Sequence, residues 1–421
     1  MKVLVYPHAT EIGGSQLHAI KIAAATRNRG HEILVVSRPG PLVEIVHRHE
    51  LPHVLLDPRA VRRPSRHAAS QLTRLARQHQ IDVVHGYEWP PAVESFAGPR
   101  LRLGLPAVCT VMSMTVAPFL PRTMPLVVCT DQIRLRAENA GHGLVTVLEM
   151  PVDVHADAPG FDPGTFRPDL GFEDSVPLVV VVSRLTPVLK LEGLLSACDA
   201  VGQLASSGTP VRLAVVGDGP SRPLVEQAAA AANARAGYRV VALAGQLDDP
   251  RPAYAAADVA LGMGGSAIRA LAFAKPLVVQ GEQGFWELFT PDSAPQLMRR
   301  GWYGLGAEGD ERAAGAARLA TILSGLLEAP DSWPRLGKYG RDLVVDRFSL
   351  ERAAATQEEV YVAAARASAR ASAPSLAADI ARTGIGLSRH KAVRKWQRWR
   401  GNIIVDDFNM VAGARPGRDA R

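Results

Sequence analysis

Pro177-Leu178-Val179-Val180-Val181-Val182-Ser183-Arg184-Leu185-Thr186-Pro187-Val188-Leu189-Lys190 joins the most apolar run of the chain to a loop carrying two cations. An unbroken aliphatic run of this kind reads as a strand covered on both faces, as in parallel sheets packed between helices. Residues 191–205 then read as a helix, and the alternation continues through strands at 211–217, 238–243, 258–263 and 276–280, with a further helix at 224–235. Ligands of such sheets bind beyond the carboxyl ends of the strands, which is where Arg184 and Lys190 stand.

The same pattern runs upstream, with strands at 3–6, 32–37, 53–57, 82–85, 107–111, 126–130 and 144–148 and a helix at 15–29 closed by Gly30, a residue that tolerates the left-handed conformation of helix ends. Residues 157–173, rich in Pro, Gly and Asp, read as a linker between the two series. A chain of 421 residues also exceeds the roughly 250 to 300 that one core serves. The expected fold class is α/β, with two Rossmann-like doubly wound domains, 1–165 and 170–345, facing a cleft. A helix at 346–371 packing back toward the first domain and a basic, Trp-containing tail at 372–421 complete the expected chain.

With 47% hydrophobic and 21% charged residues the composition is globular, and no apolar stretch approaches the ~20 residues of a membrane span. The N-terminus begins at once as a strand rather than as a secretory leader, so a cytoplasmic location is expected, with a peripheral position on the inner face of the membrane left open. Cys109, Cys129 and Cys198 lack metal-ligand spacing and read as reduced thiols; no metal and no cofactor are expected. The net charge of +7 equals the seven Arg and Lys residues between 382 and 400, a stretch without an acid. The body is therefore close to neutral, and no nucleic-acid partner is expected.

Four motifs carry the candidate chemistry. Gly13-Gly14, ahead of the first helix, lets the backbone approach an anion at the helix N-terminus, although a plain turn explains the pair as well. Arg184 and Lys190 could neutralise the charge that grows on a departing diphosphate, or be ordinary cations of a solvated loop. Gly217-Asp218-Gly219 could touch a nucleotide or only reverse the chain. Gly264-Gly265-Ser266 offers amides to a phosphate or ribose, with Arg269 one turn into the following helix.

In this order, and together with Gly30-His31-Glu32, Asp82-Val83-Val84-His85 and Tyr254-Ala255-Ala256-Ala257-Asp258-Val259, the motifs resemble glycosyltransferase family 4 of the GT-B fold over residues 1–366. The resemblance implies a retaining, metal-independent hexosyl-type transfer from a nucleotide diphosphate sugar, a UDP-sugar foremost, bound mainly by the second domain. It implies that Arg184 and Lys190 are the catalytic pair on the donor phosphates and that Gly13 and Gly14 face the diphosphate from the other domain. Gly217, Asp218, Gly219, Gly264, Gly265, Ser266 and Arg269 would complete the donor site.

Three departures from the family pattern matter. Arg269 stands where an acid is expected to hold the ribose, the segment before it is too short to supply a sugar-contacting Glu, and Met112 replaces the expected His. A guanidinium cannot accept hydrogen bonds from ribose hydroxyls but can bind phosphate in two-pronged fashion. Alternatively, Arg269 pairs with an acid such as Glu282 or Glu287.

On the acceptor side, His8 and His85 are substitutes for the missing His, although each suits a structural role better. The basic loop containing Arg62 and Arg63 fits an anionic acceptor, an acidic lipid surface or plain solvation. The acceptor is expected to be a natural product or a cell-envelope glycan. In the tail, Ser388 could cap a helix ended by Gly401, with Ala392, Val393, Trp396 and Trp399 on one face. Such a basic amphipathic helix over 388–400 fits an anionic membrane, and its tryptophans fit the protein's own surface equally. Two other functions stay open: a sugar-nucleotide-binding scaffold of the same fold without catalysis, and epimerase or phosphorylase chemistry.

Overall fold

The computed structural model describes residues 1–10, 14–57, 64–307 and 311–400. The chain forms two compact units, one of Met1–Glu149 with Leu350–Arg421 and the other of Met150–Ser349.

In the first unit seven parallel strands lie in the order β3-β2-β1-β4-β5-β6-β7. They are β1 (Lys2–Tyr6), β2 (Glu32–Ser37), β3 (His53–Leu55), β4 (Val83–Tyr87), β5 (Ala107–Val111), β6 (Leu126–Val128) and β7 (Val145–Val147). The central strands are buried on both faces, which is why they read as continuous apolar runs rather than alternating ones. Helix Leu350–Arg370 follows the second unit in sequence yet belongs here: Val360, Tyr361 and Ala364 share an apolar cluster with Ile20 and Ile22 of helix Gly14–Asn28. At the rim of that contact Glu358 receives Arg29 at 2.7 Å and His31 at 3.4 Å.

The tail departs from the sequence reading. Its helix spans Ala373–Trp399, and Ser388 is interior to it, with Oγ donating to the Gly384 carbonyl rather than capping an end. Alanine-rich composition favours the helix, and tertiary anchors fix its first half. The buried Asp379 accepts from Arg122 N at 2.9 Å, Thr123 N at 2.9 Å, Thr123 Oγ1 at 2.7 Å and Arg382 at 2.5 Å. Thr383 donates to the Phe119 carbonyl, and Gly386 lies so close to Phe119 that a Cβ would come within 2.5 Å of it.

The second unit holds β8 (Leu178–Val182), β9 (Arg212–Val216), β10 (Val241–Gly245), β11 (Val259–Gly262), β12 (Leu277–Gln280) and β13 (Trp286–Leu288), ordered β10-β9-β8-β11-β12-β13. All pairs are parallel except β12 with β13, an edge strand too short to announce itself by periodicity. Residues 157–173 are not a free linker. The chain enters this unit at Met150; Val152 and Val154 are buried in its core and Val152 bridges to Ser349. Phe161 lies beneath the Arg251 guanidinium, and Arg167 binds the Ala256 carbonyl and the Asp258 carboxylate. A few anchoring side chains thus fix a segment whose composition signals a loop.

The core of the first unit contains His18 and His85, both held down to about 3, burial being the main cause and the neighbouring Lys21 or His18 the second. Each is neutral when folded but takes up a proton near 6.5 when unfolded, so unfolding binds protons between those two values. Stability is therefore full above about pH 6.5 and declines as pH falls toward 3. In thermal scans from pH 7 to 4, His18→Met is expected to show a shallower loss of midpoint than the wild type; parallel curves would contradict this.

Candidate functional site

The loop between β8 and helix Leu191–Ser206 is fastened at its middle. Leu185 is fully buried; its N–H donates to the Asp218 carbonyl at 3.0 Å and its carbonyl accepts from Ser221 N at 2.9 Å. This pairing accounts for the glycines of 217–219. A Cβ on Gly217, at φ +137°, would meet the Ser183 carbonyl at 1.9 Å, and one on Gly219, at φ +156°, the Leu185 carbonyl at 2.4 Å. Asp218 accepts from Gly219 N at 2.7 Å and pairs with Arg222 at 2.9 Å, contacts that hold its carboxyl below the usual range. The turn shapes the loop that carries the cations.

Arg184 is exposed and has no ion pair among the described residues. Lys190 is partly buried, and its Nζ lies 3.0 Å from the Met263 sulfur. Burial, and after it the Arg184 charge, lowers Lys190 to about 8, while Glu282 opposes the shift. Glu282 is itself fixed: it accepts from Leu189 N at 3.2 Å and from Tyr303 Oη at 2.5 Å. Gln280 reaches the Lys190 carbonyl through the space that Gly193 leaves open, since a Cβ there would fall 2.2 Å from its amide nitrogen. Two cations thus stand at the carboxyl end of β8 with one carboxylate behind them, a charge arrangement that suits a polyanion.

The next turn brings a helix N-terminus to the same edge of the sheet. Gly264 takes φ 59° and ψ −128°, a conformation open to glycine, and helix Gly265–Ala272 starts directly after it. The first N–H groups of a helix lack intrahelical partners, so those of Gly265 and Ser266 suit an anion. The Ser266 hydroxyl is engaged locally, donating to the Met263 carbonyl at 3.1 Å.

Arg269 is in an ion pair, but with neither Glu282 nor Glu287. Its Nη2 donates to Asp157 Oδ1 at 2.7 Å, and the Asp157 side chain is 2% exposed. The partner lies 112 residues upstream in a stretch read as linker, which is why sequence spacing did not reveal it. Arg341 secures the same segment by donating to the carbonyls of Asp157, Val154 and Ala272.

Of the first unit's candidates, Gly13, Arg62 and Arg63 lie outside the described residues. Gly14 opens helix Gly14–Asn28 and has nothing within 4 Å of where a Cβ would stand. His8 approaches Gln16 Nε2 at 3.3 Å. His85 is fully buried, with Nδ1 2.9 Å from Tyr361 Oη, Nε2 2.7 Å from Thr110 Oγ1 and its ring stacked on Tyr87. Both of its nitrogens are engaged inside the core, so it serves structure.

Sequence reasoning passed over Glu88, at the carboxyl end of β4. It adopts φ 65°, unusual for a side-chain-bearing residue, and accepts from Met112 N at 2.8 Å, Ser113 N at 3.1 Å and Ser113 Oγ at 2.8 Å. It organises the loop in which Met112 replaces the expected His. A lone acid after a strand gave no motif by which to find it.

Residues 12–127 match the family model described as Glycosyltransferase Family 4, and residues 176–323 match that of the Glycosyl transferases group 1. No curated relative matches the sequence. Among solved structures the chain is similar to a glycosyltransferase from Rickettsia africae, at 16% identity and TM-score 0.69, covering 86% of this chain and 98% of that one. It is also similar to Anabaena HepE in complex with UDP and glucose, at 18% identity and TM-score 0.65, covering 85% and 98%. Sucrose-phosphate synthase from Thermosynechococcus elongatus aligns at 17% identity and TM-score 0.62, covering 86% and 98%. At such identities the structural likeness speaks for the fold.

Proposed function

Because the chain is a family 4-like glycosyltransferase of the GT-B fold, we propose that it moves a hexosyl-type sugar from a UDP-sugar to a hydroxyl of a natural product or an envelope glycan, with retention. The observation that carries this reading is the pairing of Arg184 with Lys190 at the carboxyl end of β8. As the bond from the anomeric carbon to the phosphate oxygen breaks, negative charge gathers on the diphosphate, and the two cations stabilise that charge more than the ground state. In a same-face transfer the departing phosphate oxygen takes the acceptor hydroxyl proton. Gly265 and Ser266 supply amides to the donor, and the 217–219 turn holds the loop in place. HepE, solved with UDP and glucose, makes UDP the first nucleotide to try.

The outward face of helix Ala373–Trp399 supports a peripheral position at an anionic membrane. Ile385, Trp396 and Trp399 are exposed at 71%, 49% and 83%, and Arg389, Lys391 and Lys395 stand exposed around them. Among the described residues no helix is long and apolar enough to cross a membrane.

Thermal shift with UDP-, GDP-, ADP- and dTDP-sugars tests the donor reading, since a ligand of the folded state raises its midpoint. One class, UDP, is expected to stabilise. Lys190, lowered to about 8, is charged at pH 7 and mostly neutral at pH 9, so UDP affinity should fall as pH rises, by up to roughly tenfold over that interval. No response to any nucleotide, or equal affinity at both pH values, would overturn the assignment. Missing family acids favour a second reading, nucleotide-sugar binding without transfer; stabilisation by a UDP-sugar without its turnover would select it.

A further inference from the structure

The first unit contains a cavity that the donor chemistry does not use. It lies between the loop after β5 and helix Asp131–Asn139, has a volume of about 270 Å³, and is walled in part by Met114, Val116 and Ile133. Apolar walls alone would mark imperfect packing. Beside Thr115, the same lining holds three polar side chains that say more: Arg122, Arg136 and His142.

Arg122 and Arg136 are exposed, and neither has a carboxylate partner among the described residues. Their neighbours behave differently, Arg134 pairing with Asp131 and Glu138, and Arg382 with Asp379. Asp379 is the nearby acid, and its oxygens are taken up by Arg382 and by the backbone and hydroxyl donors of Arg122 and Thr123. His142 is 6% exposed, and its Nδ1 has no hydrogen-bond partner among the described residues. Burial first, then the Arg122 charge, brings it down to about 4, so at neutral pH it is an uncharged imidazole with one N–H to donate. A buried polar nitrogen left unmet is unfavourable, which points to a ligand atom as its partner.

We propose that this cavity binds the head and first carbons of a lipid phosphate. The phosphate sits between Arg122 and Arg136, the His142 imidazole turns toward it to donate Nδ1–H, and the chain runs along Met114, Val116 and Ile133. A free phosphate would leave the apolar walls unused. With liquid water at ~30 Å³ per molecule, a cavity of about 270 Å³ has room for a head or a short stretch of chain and not for a whole lipid, so the remainder stays outside. The loop that walls the cavity also carries Phe119, Arg122 and Thr123, which anchor the terminal helix, so the Trp-bearing helix and the cavity share one support. The site stands on the first unit alone and does not depend on the donor assignment.

Isothermal titration of the full chain with octyl phosphate, inorganic phosphate and octanol tests it. Octyl phosphate is expected to bind at least about tenfold more tightly than either control, that is, by 1.4 kcal/mol or more. Arg136→Glu reverses the charge of an exposed residue, and Ala140→Trp fills the cavity mouth without removing a cation; each should weaken octyl phosphate about tenfold or more while keeping the wild-type midpoint and the stabilisation by UDP. Absence of binding, inorganic phosphate binding as tightly as octyl phosphate, or unchanged affinity in Arg136→Glu would each overturn the proposal. Because UDP stabilisation is read in the same samples, failure here is distinguishable from failure of the donor reading.

Discussion

Lys190→Ala is expected to lower the rate of sugar transfer by about 10²- to 10³-fold at saturating donor, the loss found when one preorganised group facing developing charge is removed. The variant should remain folded. Burial lowers Lys190 to about 8, which means that its surroundings disfavour the charged form; removing the ammonium therefore relieves the fold. Lys190→Arg should not restore the rate, because a planar guanidinium cannot occupy the position of a compact ammonium held 3.0 Å from the Met263 sulfur. Arg184→Ala should also slow transfer, less steeply, since Arg184 is exposed and works in a more watery setting. Initial rates of UDP release decide the matter. A rate for Lys190→Ala within threefold of wild type would remove Lys190 from the chemistry.

How much of this could be read from sequence depends on whether the determinant is local. β8 is legible because four consecutive valines can be buried on both faces only in a covered sheet, and Arg184 and Lys190 are legible because they follow that strand directly. The glycines at 217 and 219 were visible, but not their reason: each admits a carbonyl from the 183–185 loop, a long-range contact without a local signature. The same holds for the terminal helix. Its basic half is periodic and legible, whereas Asp379 and Thr383 are fixed by partners at 119–123, contacts that no local pattern announces. Glu282, like Glu287, is an acid that sequence proximity offers as a partner for Arg269. In the structure it turns to Leu189 and Tyr303 and buttresses the Lys190 loop instead.

Arg269→Ala is expected to destabilise the second unit by about 3 kcal/mol, because it strands Asp157, whose side chain is 2% exposed, without its charge partner. For a unit of this size the midpoint should drop by roughly 6 to 12 °C. This outcome separates two roles for a residue that stands where a ribose-holding acid is expected. As a donor ligand, Arg269 would leave stability alone when removed and weaken UDP strongly. As the support that the Asp157 contact describes, its loss should lower the midpoint while UDP affinity, measured well below the transition, stays within threefold. Arg341, which donates to the Asp157, Val154 and Ala272 carbonyls, braces the same segment against the last residue of helix Gly265–Ala272 and limits how far it can relax. Combining Arg269→Met with Asp157→Asn should recover more than half of the loss, since the pair can be replaced together at far lower cost than either half can be removed. An unchanged midpoint in Arg269→Ala with a tenfold weaker UDP would return Arg269 to the donor site and make the Asp157 contact incidental.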